Sequence, residues 1–138
     1  LKEAGVNVQV QSYDWGTFYG DIKTGNFQMF SLAWVGMKTP DSFRYLFHSR
    51  SVPPGGANRG RYHSDAADRF IEAGEAANDP AEGIEHYRGL QQLLLDELPY
   101  VPLWYEDNVM AIRDEVTGYR LAPDGNYDGL ARIGWSSR

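Results

Sequence analysis

Phe27 to Val35 is an almost unbroken apolar run, Phe27-Gln28-Met29-Phe30-Ser31-Leu32-Ala33-Trp34-Val35, and it reads as a strand covered on both faces. Upstream, Val6, Val8 and Val10 alternate with Asn7, Gln9 and Gln11, which predicts a strand from Val6 to about Tyr13. Between the two, Asp14 suits a helix N-cap, and Trp15, Phe18, Tyr19 and Ile22 follow at helical spacing. Lys23 in the last turn and Gly25 just beyond end that helix at Thr24. Together these segments predict a β-α-β unit, parallel and right-handed. Leu1 to Gly5 reads as the last turn of a helix closed by Gly5.

Further on, Asp41 is a candidate N-cap for a short helix carrying Phe43, Leu46 and Phe47. Ser49 to Arg61, with Pro53-Pro54-Gly55-Gly56 and Asn58-Arg59-Gly60, predicts an irregular surface loop. Ser64 can cap a long helix with Ala67, Phe70, Ile71, Gly74 and Ala77 on one face. Asp79-Pro80-Ala81-Glu82 starts another, with Asp at the N-cap, Pro at N1 and Glu at N3. Its apolar stripe reads Ile84, Tyr87, Gln91, Leu94 and Leu98, widened by Leu90 and Leu93, and Pro99 stops it. Tyr100–Tyr105 and Asn108–Ile112 are strand-like, with Pro102 favouring an edge, and weaker strand signals lie at Tyr119–Leu121 and Leu130–Ile133. The fold class is therefore α/β, with a β-α-β unit, two long helices and C-terminal strands.

Composition narrows the picture. A chain of 138 residues with 42% hydrophobic and 23% charged positions fits one globular domain. No apolar run approaches the roughly 20 residues that span a bilayer. The net charge of −6 argues against nucleic acid as a partner, because such binding needs clustered Lys and Arg. Zero Cys excludes disulfides, thiolate nucleophiles and Cys-based metal sites. The chain begins Leu1-Lys2-Glu3 without an initiator Met, and so reads as a processed product or an excised piece.

Catalytic patterns are missing from the sequence. There is no Gly-x-Ser-x-Gly and no His-Glu-x-x-His, and His48, His63 and His86 stand in unrelated contexts. Adjacent Glu106 and Asp107 would point to opposite faces of a strand, so a turn explains them better than an acid/base pair. No metal or cofactor is expected. Arg44, Arg50, Arg59 and Arg61 form a basic stretch that could meet a carboxylate or phosphate, or could simply be solvated. Trp34 either plugs the core or forms a flat apolar wall for a ligand. Loops at the carboxyl ends of strands carry ligands in open α/β sheets, which places recognition in Gly36-Met37-Lys38-Thr39-Pro40-Asp41-Ser42-Phe43.

Taken in order, Leu1 to Val8, Phe27 to Trp34 with Pro40-Asp41-Ser42-Phe43, Tyr62-His63-Ser64-Asp65, Pro99 to Tyr105 and Val116-Thr117-Gly118-Tyr119 resemble the C-terminal part of one receptor family. It is the extracytoplasmic solute-binding proteins of ABC importers, peptide/nickel-binding (family 5) group. The resemblance implies part of a periplasmic-binding-protein type II-like lobe. Residues 1–98 would be mainly ligand-binding lobe and 99–138 a crossover with C-terminal strands. It implies a peptide or other small organic ligand, ABC permease subunits as membrane partners, and a secreted or lipid-anchored protein outside the cytoplasm. The isolated piece is expected to self-associate. The metal or haem of some members does not carry over, since no residue marks such a site.

The ligand-binding residues expected are Trp34, Val35, Gly36, Met37, Thr39, Asp41 and Phe43, joined by Arg59 and Arg61. In peptide-binding relatives the third residue after the loop's Trp is often an Asp that pairs with a free α-amino group. Met37 stands there, and a thioether cannot balance an ammonium. The resemblance with that departure implies a ligand without an obligatory free amine, with Asp41 a substitute already engaged as an N-cap. Two other classes compete: a small hydrolase using Asp41, Glu106 or Asp107, and a protein-interaction module docking through its aromatic surface.

Overall fold

The structure is a computed structural model and describes residues 1–37 and 39–136. Lys38, inside the predicted recognition loop, lies outside the described residues. Four helices are present: α1 (Trp15–Thr24), α2 (Asp41–Phe47), α3 (Asp65–Ala76) and α4 (Pro80–Glu97). They are accompanied by a two-stranded antiparallel sheet of β1 (Val116–Thr117) and β2 (Gly134–Trp135), in which Val116 faces Trp135. Single 3-10 turns at Lys2–Ala4 and Asp128–Arg132 complete the order, the first closed by Gly5 in the left-handed region (φ 79°).

The helix starts follow the local chemistry. Asp14 accepts from the Thr17 amide and hydroxyl, Ser64 from the Ala67 amide at 3.4 Å, and Asp79 from the Ala81 amide at 2.9 Å with Pro80 behind it. Each cap satisfies a backbone donor that the helix itself cannot. Asp41 differs from expectation. The N-cap of α2 is Pro40, with no side-chain cap, and Asp41 is the first helical residue, where it accepts from the Thr39 hydroxyl at 3.5 Å. The backbone turn from the Thr39 and Pro40 carbonyls already starts that helix.

The core lies between α3 and α4, which Ala77, Asn78 and Asp79 join into an antiparallel hairpin. Ala67, Ile71 and Leu90 are its fully buried centre, with Phe43, Phe47, Tyr62, Phe70, Tyr87, Leu93 and Leu94 packed around it. Two glycines set the helix separation. A Cβ on Gly74 would stand 2.8 Å from the Tyr87 ring, and one on Gly89 would stand 2.6 Å from the Phe70 ring. Each helix thus accepts an aromatic ring from the other into a notch without a side chain. The buried face of α4 runs through Gly83, Tyr87, Leu90 and Leu94, whereas Ile84, Gln91 and Leu98 of the expected stripe are exposed. Counting apolar residues alone rotated that face by about one position, because Gly83 carries no hydrophobic signal.

Most of the predicted strands do not form. Val6–Tyr13, Phe27–Val35, Tyr100–Tyr105 and Asn108–Ile112 lie outside any helix or strand, so α1 stands without its two flanking strands and the β-α-β unit is absent. A strand is completed by its neighbours' hydrogen bonds, and among the described residues these runs have no strand partner. The C-terminal strands occur, but at Val116–Thr117 and Gly134–Trp135 rather than at Tyr119–Leu121 and Leu130–Ile133. The described architecture is helices with a small sheet, a coarser form of the α/β class expected.

The segment from Ser49 to Arg61, with His48 just before it, also departs from the reading of 49–61 as a surface loop. His48, Ala57, Asn58 and Arg59 are buried. The Asn58 amide donates to the carbonyls of His48 (3.2 Å) and Tyr62 (2.7 Å) and accepts from the Tyr62 amide (2.9 Å), closing the loop's two ends together. His48 accepts the Arg50 amide on Nδ1 (3.1 Å), which leaves Nε2 to donate to Glu72 (3.3 Å). Asp68 on α3 takes the Ser49 amide at 2.9 Å and the Ser49 hydroxyl. Burial alone would raise the Asp68 carboxyl, but the Ser49 bonds outweigh it and hold the group below its ordinary range.

Two predictions follow from this packing. Asn58→Ala strands three backbone groups, at about 1–3 kcal/mol for a buried group left unpaired, so a loss of roughly 2–4 kcal/mol in urea denaturation is expected. A change within about 0.5 kcal/mol, the scale of an ordinary surface substitution, would show that the loop holds without it. The Tyr62 phenol, half-buried and donating to Glu97, is pushed up to about 12, first by burial and then by that bond. The folded state thus favours the neutral phenol. Its contribution is present below the unfolded value of about 10 and is lost as pH rises towards about 12. Wild type should therefore lose more stability than Tyr62→Phe across that window, and parallel slopes would remove the assignment.

Candidate functional site

The turn that Asn58 closes presents one side chain against two aromatic rings. Arg59 has its guanidinium carbon 4.7 Å from the centre of the Trp34 ring and 5.2 Å from that of Tyr19. Its Nη2 donates to the Tyr19 hydroxyl at 3.3 Å. The residue is only 5% exposed, and its Nη1 is buried with no hydrogen-bond partner among the described residues. Backbone bonds fix the turn: the Ala57 amide to the Tyr45 carbonyl (2.8 Å), the Arg59 amide to Ala57 (2.8 Å) and the Arg61 amide to Asn58 (3.2 Å). Tyr100 adds its hydroxyl to the Ala57 carbonyl at 3.4 Å.

Trp34 is 40% exposed and meets Tyr45 of α2 edge-on, with ring centres 6.5 Å apart. It is thus not a core plug. It forms a ledge, with one contact to a buried cation and an open surface besides. Quadrupole attraction between ring and guanidinium holds such a pair together. A second cation stands nearby, since the Lys23 Nζ lies 5.1 Å from the centre of the Tyr19 ring.

The other expected residues are distributed around this centre. Val35 and Gly36 follow Trp34 on the exposed loop, and Gly36 donates its amide to the Asp124 carbonyl at 3.2 Å. Gly36 has a φ of 73°, a conformation that L side chains rarely adopt. Met37 is half-buried, and Thr39 and Asp41 are exposed. Phe43 sits apart, stacked on Tyr87 at 5.5 Å in the helical core. Arg61 is exposed, and its guanidinium runs beside Gly25 at the end of α1. Arg44 is taken by Glu75 in a forked pair at 2.7 and 2.8 Å, which raises its pKa. Of the expected set, the structure brings Trp34 and Arg59 together. Tyr19 was missed, because its helical spacing assigned it to the packing face of α1. The sequence signal was the Trp15, Phe18, Tyr19 cluster, more aromatic surface than one short helix needs, and Trp15 indeed stacks on Tyr19 at 5.3 Å.

Among the described residues no group of three His, Cys, Asp or Glu is placed to hold a metal, and no helix is long and apolar enough to cross a membrane. The arrangement is an aromatic ledge over a buried guanidinium, flanked by hydroxyls. The chain is similar to di/tripeptide-binding protein 2 of Pseudomonas aeruginosa (strain UCBPP-PA14), with 28% identity over 126 residues, covering 89% of this chain and 23% of the relative. The probable di/tripeptide-binding protein 5 of the same strain matches at 28% over 129 residues, covering 93% of this chain and 24% of the relative. Glutathione-binding protein GsiB of Escherichia coli (strain K12) matches at 28% over 134 residues, covering 92% and 26%. The resemblance read from the residues is therefore found across nine-tenths of the chain, which spans about a quarter of the length of these relatives. No protein-family model matches the chain, and no solved structure matches it.

Trp34→Ala should cost less stability than the roughly 3–5 kcal/mol of a fully buried aromatic, because Trp34 keeps an open face. Affinity for a solute that co-purifies with the protein should fall by about 2 kcal/mol or more, as for an aromatic anchor. Calorimetric titration beside denaturant melts separates the two. A full core-sized loss of stability with affinity untouched would return Trp34 to a packing role.

Proposed function

We propose that this chain is part of the substrate-binding component of an ABC importer of the family 5 group, and captures a peptide-like or other small organic solute for a membrane permease. The observation that carries this is the joint one: similarity to peptide- and glutathione-binding proteins along nine-tenths of the chain, and a Trp34–Arg59 ledge suited to an organic ligand. In this reading the chain forms much of one periplasmic-binding-protein type II-like lobe, 1–98, followed by a crossover segment, 99–138. The receptor works outside the cytoplasm, secreted or lipid-anchored, and binds without chemical turnover.

Affinity in such a receptor comes from closure. Two lobes exclude water from the ligand, and the ligand's preference for the closed state shifts the population towards it. The exposed apolar side chains of Val101, Leu103, Trp104, Val109 and Ile112 suit burial against the rest of the receptor, and in isolation they favour self-association. Val35, Gly36, Met37, Thr39, Asp41, Phe43 and Arg61 remain proposed ligand-facing positions, and Met37 favours a solute that needs no free amine. Native mass spectrometry of the intact receptor purified without denaturation tests the reading. A bound small organic molecule released unchanged on unfolding is expected. Conversion of that molecule on incubation would overturn a purely binding role.

A further inference from the structure

Pro123 and Asp124 form the centre of a turn that the Gly125 amide closes on the Ala122 carbonyl at 3.1 Å. Such a turn satisfies the carbonyl of its first residue and leaves those of its two central residues without a partner inside it. Here both are taken by other parts of the chain. The Asn108 side-chain amide donates to the Pro123 carbonyl at 3.0 Å, and the Gly36 backbone amide donates to the Asp124 carbonyl at 3.2 Å. Gly125 is where the three segments meet. A Cβ there would stand 3.2 Å from Asn108 Oδ1 and 3.5 Å from Val35 Cγ1, and its φ of 70° is one that L side chains rarely adopt.

The loop that follows Trp34 needs such a tie. Residues 27–37 lie outside any helix or strand, so no ladder of backbone bonds sets their course. Trp34 itself is 40% exposed and meets Tyr45 only edge-on. Two residues further on, Gly36 at φ 73° presents its amide to the turn. Resting on the binding role proposed above, we propose that Asn108 is a positioning residue of the ligand site. Its amide holds the 122–125 turn beside Val35 and Gly36, and through them it fixes where the Trp34 ring stands for the solute. A side-chain amide suits the task, because it offers both a donor and an acceptor and does not titrate. Losing one neutral hydrogen bond shifts an equilibrium about two- to tenfold, which sets the size of the effect.

The test labels the intact receptor with 5-fluorotryptophan and follows the Trp34 line by fluorine NMR without ligand, the line being assigned by its loss in Trp34→Phe. A pool of random tripeptides is then offered, and the bound fraction is separated by size exclusion and counted by mass spectrometry. Asn108→Leu keeps the size and removes the donor, whereas Gly125→Ala forces a side chain between Asn108 and Val35. In both, the Trp34 line should move or broaden while the line of Trp15, on α1, keeps its place. Tripeptide retention should fall about two- to tenfold. Asn108 is exposed, so Asn108→Leu decides the matter should Gly125→Ala fail to fold. A Trp34 line unchanged in both variants would overturn the inference, and so would a moved line with undiminished retention. If wild type retains no tripeptide, the peptide-like ligand falls, and the positioning role then stands or falls on the Trp34 line alone.

Discussion

One primary amide, that of Asn58, ties down the part of this structure on which the rest of the site depends. A stretch from His48 to Arg61 with two prolines and several glycines has little regular structure to hold it. Asn58 replaces that missing ladder with three bonds, reaching back to His48 and forward to Tyr62. Buried polar groups are tolerated only when paired, so a fully satisfied amide fixes one loop conformation and disfavours others. The same logic extends outward. His48 and Ser49 bind Glu72 and Asp68 on α3, so the loop is anchored to the helical hairpin at its entry. Arg59, next in sequence to Asn58, inherits its position.

The hairpin supplies the rigid base. Paired notches at Gly74 and Gly89 let Tyr87 and Phe70 cross between α3 and α4, and Phe43 of α2 continues the stack onto Tyr87. Phe47 links that core to Tyr62 and Tyr100, with ring centres 6.4 and 5.5 Å apart. Tyr100 in turn donates to Ala57, directly under the Arg59 turn. A continuous aromatic path therefore runs from the hairpin to the site, and loop geometry is transmitted by packing rather than by a sheet.

What the sequence disclosed depended on whether the cause was local. Caps at Asp14, Ser64 and Asp79 are set by residues within three positions, and each was readable. Strands were legible only as a wish to be covered: the alternation of Val6, Val8 and Val10 marks a face needing a partner, yet Val10 is 87% exposed because pairing is not a local property. The loop at 48–61 misled for the opposite reason. Its prolines and glycines suggested an irregular surface stretch, whereas Asn58 replaces backbone pairing in the interior. At the site, Trp34 and Arg59 were both singled out, on separate grounds. Their contact crosses 25 positions, and Tyr19 joins it from α1, so no spacing rule could have brought them together.

That contact also bears on how a basic side chain is held in the interior of an acidic chain. The ring faces of Trp34 and Tyr19 carry negative quadrupole density and stabilise the guanidinium in part, without neutralising it. That stabilisation is partial, and among the described residues Nη1 is buried without a hydrogen-bond partner. The ledge is therefore more than an apolar surface: a guanidinium is buried beneath it, held by two ring faces and one hydroxyl among the described residues.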